Sequence, residues 1–113
     1  MARRPILETA VMDLLWDEGR WLTPAQVQAG LDRDVASTTV RTVLTRLQAK
    51  GRVERRAHGG ALQYRAADSR EEHVAARMEE ALDRSRDRLS ALAEFIDRLP
   101  PEDRSLLRRV LRR

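Results

Sequence analysis

Residues 37–47 read STTVRTVLTRL. Seven of the eleven are polar, and five of those seven are hydroxyl residues, mostly threonines, whose β-branched side chains are modest helix formers. The four apolar residues nonetheless fall at helical spacing, with Val40, Val43, Leu44 and Leu47 at i, i+3, i+4 and i+7. The spacing predicts a helix capped at Ser37 or a neighbour, running to about Lys50 and stopped by Gly51. Those four residues form its buried face. The opposite face carries Thr38, Thr39, Arg41, Thr42, Thr45 and Arg46. A merely solvated helix usually shows Glu, Lys and Gln, which form helix better than Thr. Threonine offers a hydroxyl for a phosphate or base edge and a methyl for the thymine methyl, and arginine can grip guanine with two hydrogen bonds. The pattern points to a helix that reads DNA.

The flanking segments supply the frame for such a helix. Upstream, residues 6–18 set Ile6, Ala10, Val11, Leu14 and Leu15 on one stripe, an amphipathic helix ended by Gly19. Arg20-Trp21-Leu22 reads as a short extended link. Thr23 then caps a second helix, with Pro24 at its first position, Gln26 completing a capping box, and Val27 and Leu31 facing inward. Downstream of Gly51 the period changes to alternation. Val53, Arg55 and Ala57, a His58-Gly59-Gly60 turn, then Leu62 and Tyr64 predict a two-stranded hairpin. Val53, Leu62 and Tyr64 are expected to face the helices. Three helices followed by a basic hairpin make a winged helix-turn-helix, expected over residues 1–67, whose third helix enters the major groove while the hairpin lies on the backbone. Arg52, Arg55, Arg56, His58 and Arg65 suit phosphate or minor-groove contact, and Lys50 with Arg52 brackets the helix end within reach of the backbone.

Residues 68–113 change character. Ser69-x-x-Glu72 is a capping box, and one long helix is expected from there to about Leu99. Met78, Leu82, Ser85, Leu89, Leu92, Ile96 and Leu99 alternate spacings of 4 and 3, which is a heptad seam. A narrow apolar seam on a long helix asks for a partner, most simply a second copy packing on Met78, Leu82, Leu89, Leu92, Ile96 and Leu99. A helix folding back on its own domain is the other possibility. Pro100-Pro101 ends the helix. Glu102 and Asp103 suit the first turn of a last helix, whose apolar face is Leu106, Leu107, Val110 and Leu111. The expected class is therefore mainly α with a small β-hairpin: a winged helix-turn-helix domain plus a C-terminal helical dimerisation region.

Composition narrows the function. The 113 residues carry a net charge of +4, yet residues 36–67 hold seven basic side chains against Glu54 alone. Charge gathered in one stretch suits a polyanionic partner. With no cysteine in the chain, disulfides, thiolate metal sites and a cysteine nucleophile are excluded, which fits a cytoplasmic location. No apolar run approaches the roughly 20 residues of a membrane span, so no membrane insertion is expected, and MARRP lacks the apolar segment that would make it a signal peptide. His58 and His73 lie apart, and no zinc-protease, nucleophile-elbow or phosphate-loop motif is present. Glu71, Glu72 and His73 are consecutive and so point to different faces of a helix, which argues against a metal site. Neither catalysis nor a cofactor is expected.

The stretches ETAVMDLLWDEGRWLTPAQVQAGL, TTVRTVLTRLQAKGRVERR and ALQYRAADSREEHVA together resemble the penicillinase-repressor family of winged-helix transcriptional repressors, over about residues 6–111. The resemblance implies a dimer on a palindromic operator in a bacterial promoter, with Thr39, Thr42 and Arg46 on DNA and the C-terminal helices forming the dimer. Better-known members are inactivated when a signalling membrane metalloprotease system leads to a cut in the dimerisation region, before a phenylalanine and usually after asparagine. The matching junction is Glu94-Phe95, with glutamate in the asparagine position. A core aromatic is the plainer role for Phe95. Copper-responsive members use C-terminal cysteines, which this chain lacks.

Two other functions remain open on the sequence. A small ligand could control a winged-helix regulator through an apolar pocket near Trp16, Trp21 and Tyr64. Alternatively, the chain could be a coiled-coil adaptor whose winged helix binds protein.

Overall fold

A computed structural model describes residues 6–113. The leading MARRP, read above as no signal peptide, lies outside the described residues. In chain order the elements are α1 (Leu7–Glu18), α2 (Pro24–Gly30), α3 (Ser37–Ala49), β1 (Val53–His58), β2 (Ala61–Ala66), α4 (Arg70–Asp83), α5 (Arg88–Arg98) and α6 (Pro101–Leu111). The class is mainly α with one small hairpin. Two compact units divide the chain, one ending at His73 and the other Val74–Arg113.

The first unit is built on the inward face of α3. Val40, Val43, Leu44 and Leu47 are all buried, as their spacing predicts. They close on Val11, Met12 and Leu15 of α1, Val27 of α2, Val53, Tyr64 and Leu22. The stripe read for α1 omitted Met12, which is buried, and included Ile6, which precedes the helix and is exposed. Thr23 caps α2 as expected: its hydroxyl accepts from the Gln26 backbone N–H, and the Gln26 side-chain carbonyl accepts from the Thr23 N–H. At α3 the cap position falls to Ser37's neighbour Ala36, which makes no side-chain cap bond, and Ser37 is the first helical residue. Helices α1 and α2 approach closely at Gly30, where an added Cβ would sit 3.0 Å from the Leu14 methyls.

The hairpin pairs β1 and β2 antiparallel, from Val53 opposite Ala66 to His58 opposite Ala61. His58 therefore belongs to the strand, and Gly59-Gly60 alone make the turn. Both have positive φ, 60° and 78°, the two-residue turn whose twist suits a hairpin and which glycine adopts without strain. The Arg20–Leu22 link adds a single antiparallel bridge beside β2, at Leu22. Leu22 and Tyr64 exchange both backbone hydrogen bonds, at 2.9 and 2.7 Å. Val53 and Tyr64 face the helices, but Leu62 is 41% exposed. It pairs with Ala57 one step from the tip, beyond the last core residue of its strand.

In the second unit the single long helix is replaced by two. Helix α4 ends at Asp83 and α5 begins at Arg88. Local hydrogen bonding makes the break. The Ser85 hydroxyl donates to the Asp87 carbonyl and accepts from the Asp87 N–H, and the Asp87 carboxylate accepts from both the N–H and the hydroxyl of Ser90. Short polar side chains thus offer the backbone an alternative to the helix ladder, and Asp87 becomes the N-cap of α5. Ser85 is accordingly not a seam residue. Ser69 and Glu72 form the expected capping box at the start of α4. Pro100 and Pro101 separate α5 from α6, and Arg104 donates to the carbonyls of Ile96 and Asp97 at the end of α5.

Candidate nucleic-acid interface

The buried face of α3 determines what the other face displays. With Val40, Val43, Leu44 and Leu47 held in the core, Thr38, Thr39, Arg41, Thr42, Thr45 and Arg46 are all exposed. Among the described residues neither Arg41 nor Arg46 has an ion-pair partner. The Thr42 hydroxyl donates to the Thr38 carbonyl and the Thr45 hydroxyl to the Arg41 carbonyl, each at 2.9 Å. Their protons are thereby given to the helix, which leaves each threonine a methyl and an acceptor lone pair not used by that bond. This surface is short, cationic and free of carboxylates, so it can approach base edges closely.

The other candidate cations have different surroundings. Lys50, the C-cap of α3, is paired with Glu8 on α1 at 2.8 Å. Arg52 lies 3.1 and 3.2 Å from the two ring nitrogens of His73, with its guanidinium 5.9 Å from the Trp16 ring. Both are turned onto the body of the unit. Arg55 and His58 are exposed on β1. Arg56 donates through Nε to the Gln63 side-chain carbonyl at 2.8 Å and stacks over Trp21, 4.4 Å from the ring centre. Arg65 pairs with Glu54 at 3.0 Å and also stacks over Trp21, at 4.5 Å.

Trp21 is the residue that the sequence reading missed at this surface. Its neighbour Leu22 is buried and bridged to Tyr64, so alternation sends Trp21 to the outer face of the sheet. A tryptophan beside a buried leucine in an extended link, ahead of an arginine-rich hairpin, was the available signal.

The start of α4 is fastened to α1. Arg70 pairs with Asp17 at 3.0 Å and Asp13 at 3.6 Å; the Asp17 hydrogen bond, with both carboxylate charges, raises its pKa. Trp16 Nε1 donates to the Asp68 carbonyl, and the His73 ring lies 5.2 Å from Trp16. Of the three residues weighed as a metal cluster, Glu72 serves the capping box and His73 packs on Trp16. Trp16 lines a cavity of about 360 Å3 whose other walls include Arg20, Arg65, Asp68 and Arg70, a charged surround rather than the apolar pocket a Trp16-Trp21-Tyr64 site requires. Tyr64 is in the core.

In the second unit no residue of α4, α5 or α6 is buried. Met78, Leu89, Leu92 and Ile96 of the expected seam are exposed, and Leu82 and Leu99 are half-buried. Met78, Leu82, Leu92 and Phe95 line a groove of about 480 Å3. Phe95 is 45% exposed, so it is a groove wall rather than a core aromatic. The Glu94-Phe95 junction lies inside α5.

Comparison with known proteins gives a concordant result. The family described as penicillinase repressor matches residues 6–113. The chain is 40% identical over 110 residues to a protein named transcriptional regulator BlaI, from two strains of Mycobacterium tuberculosis, covering 93% of this chain and 80% of the relative. Among solved structures, a MarR family protein from Bacillus stearothermophilus superposes with a TM-score of 0.52 at 19% identity, covering 98% of this chain and 72% of the other, and supports the winged-helix fold.

Proposed function

This chain belongs to the penicillinase repressor family, and from that premise we propose that it represses transcription in the cytoplasm as a homodimer bound to a palindromic operator. DNA binding and repression come with the family. The observation that carries the finer reading is the Thr/Arg face of α3: six exposed side chains without a carboxylate, backed by four buried residues that fix their aim.

In this proposal Thr38, Thr39, Arg41, Thr42, Thr45 and Arg46 enter the major groove, and Arg55, Arg56 and His58 serve the backbone. Lys50 and Arg52 stand at the rim, where Glu8 and His73 compete for them. The second copy packs on Met78, Leu82, Leu89, Leu92, Ile96 and Leu99, of which Met78, Leu82 and Leu92 line the apolar groove of α4 and α5. A two-fold dimer offers two recognition helices to major grooves one or more helical turns apart, hence the palindrome.

Release by a membrane sensor metalloprotease system acting at Glu94-Phe95 is the regulatory part of the proposal. A protease takes its substrate extended, so α5 must unwind before that bond is reached. Cutting α5 then removes the linkage between half-site contacts, and affinity falls steeply because the second contact is no longer intramolecular.

The test is recovery of bound fragments from a genomic library with the purified chain, followed by stoichiometry on the most enriched sequence. A recurrent palindrome carrying two chains supports the proposal. A stable dimer that enriches no sequence overturns operator binding and favours a protein-interaction adaptor.

A further inference from the structure

We propose that Trp21 is a positioning residue for DNA binding, whose indole gathers Arg56 and Arg65 into a single two-guanidinium contact for one backbone phosphate. The inference rests on the DNA-binding reading above.

The register of the sheet creates the cluster. Leu22 is bridged antiparallel to Tyr64, so Trp21 stands opposite Arg65 on the outer face. Arg56 is opposite Gln63 on the far strand and reaches the ring diagonally. The two guanidinium carbons lie 4.4 and 4.5 Å from the Trp21 ring. Two cations drawn to one ring repel each other, and the electron-rich face of the indole offsets part of that repulsion.

The remaining partners leave the cluster short of negative charge. Glu54 answers Arg65, whereas Arg56 has only the neutral Gln63 amide, and among the described residues it forms no ion pair. One positive charge is therefore unmatched. Arg56 gives only its Nε to Gln63, and Arg65 gives Nε and one Nη to Glu54, so the remaining Nη groups are left for the hydrogen bonds that suit a phosphate. Long arginine side chains normally lose rotamer freedom on binding; here the ring and Gln63 have already restricted them, which lowers the cost of binding. A phosphate diester, with one negative charge and two free oxygens, matches this arrangement. The alternative is that Trp21 only covers the outer face of the sheet.

Salt dependence distinguishes the two. Binding of the whole chain to a short mixed-sequence duplex is followed by fluorescence anisotropy over a range of salt, with Trp21→Leu, Trp21→Phe and Arg65→Gln beside the unchanged protein. We expect Trp21→Leu to weaken binding about fivefold, from the loss of two exposed cation–π contacts. The log–log salt slope should become shallower by about one. Trp21→Phe should restore most of both, and Arg65→Gln should flatten the slope by about one. A folded Trp21→Leu variant with unchanged slope and affinity overturns the proposal. If that variant does not fold, Arg65→Gln decides: an unchanged slope overturns it equally. Failure of the unchanged protein to bind the duplex at all would instead refute the DNA-binding reading.

Discussion

The Lys50 ammonium, at the C-terminal cap of α3, lies 2.8 Å from the Glu8 carboxylate in the first turn of α1. The pair ties the end of the proposed recognition helix to the start of the chain's first helix, 42 positions away. It also withdraws a cation from the surface that would meet DNA. Glu8 is largely covered but Lys50 is half exposed, so Glu8→Gln should cost no more than about 1 kcal/mol of stability. The same change frees Lys50, and the salt slope of DNA binding should steepen by about one. Equilibrium denaturation and a salt titration read the two effects separately. An unaltered slope would show that Lys50 finds no phosphate.

Arg46 faces outward near the C-terminal end of α3 without an ion-pair partner among the described residues. Arg46→Ala should cost roughly 1–3 kcal/mol on the preferred sequence and relax selectivity at one base pair. A uniform loss across sequences would assign it to a phosphate.

The hydroxyl proton of Thr42 is given to the Thr38 carbonyl, so the methyl is the more available group. Thr42→Ser, which deletes only the methyl, should weaken binding to the preferred sequence more than Thr42→Val, which keeps the methyl and replaces the hydroxyl with a second one. The reverse order in a titration would mean that the hydroxyl turns away from its helix on binding.

Two leucines separate folding from assembly. Leu44 is fully buried, and Leu44→Ala should cost about 2–5 kcal/mol in the first unit. Leu89 is 78% exposed in the single chain, so Leu89→Asp should leave the first unit's stability unchanged. In the proposed dimer it should turn the sedimenting species from dimer to monomer, because the proposed interface would then bury an unpaired charge. A Leu89→Asp variant that still sediments as a dimer would move the interface away from this face.

The Ser90 hydroxyl, then the Ser90 and Leu89 backbone N–H groups, hold the Asp87 carboxyl below the ordinary carboxylate range. A depressed folded-state pKa means that the cap's contribution is complete above the unfolded-state pKa and is lost as pH falls through the folded value. The Ser90 amide resonance should therefore titrate at a pH lower than that of an unperturbed aspartate, and it should stay flat in Asp87→Asn. Titration at the ordinary aspartate value would refute the cap's electrostatic role.

Where one strong period governed a segment, the sequence was enough. The inward face of α3 and the capping boxes at Thr23 and Ser69 rest on short, local rules, and the structure has all three. The long helix failed because two local rules competed. The heptad spacing runs through Ser85, but Ser85 and Asp87-x-x-Ser90 carry a cap of their own, and hydrogen bonds at 2.7 to 3.1 Å decided in its favour. The extended link at Trp21 and Leu22 was legible, but which way each side chain faces was not. A single bridge has no period, and its role comes from Tyr64, far along the chain. Likewise the charges of Lys50 and Arg52 were evident, but their attachment to Glu8 and His73 depends on tertiary placement.

The interruption between Asp83 and Arg88 changes how the chain tolerates altered length. In an unbroken helix each added residue rotates everything beyond it by about 100°, so one insertion would swing a whole apolar face out of phase. Here the non-helical residues 84–87 absorb that rotation. The angular setting of Leu89, Leu92 and Ile96 is fixed afresh by Asp87, not inherited from Met78 and Leu82. An insertion at this point can leave both faces where they are, whereas the same insertion within α4 or α5 cannot.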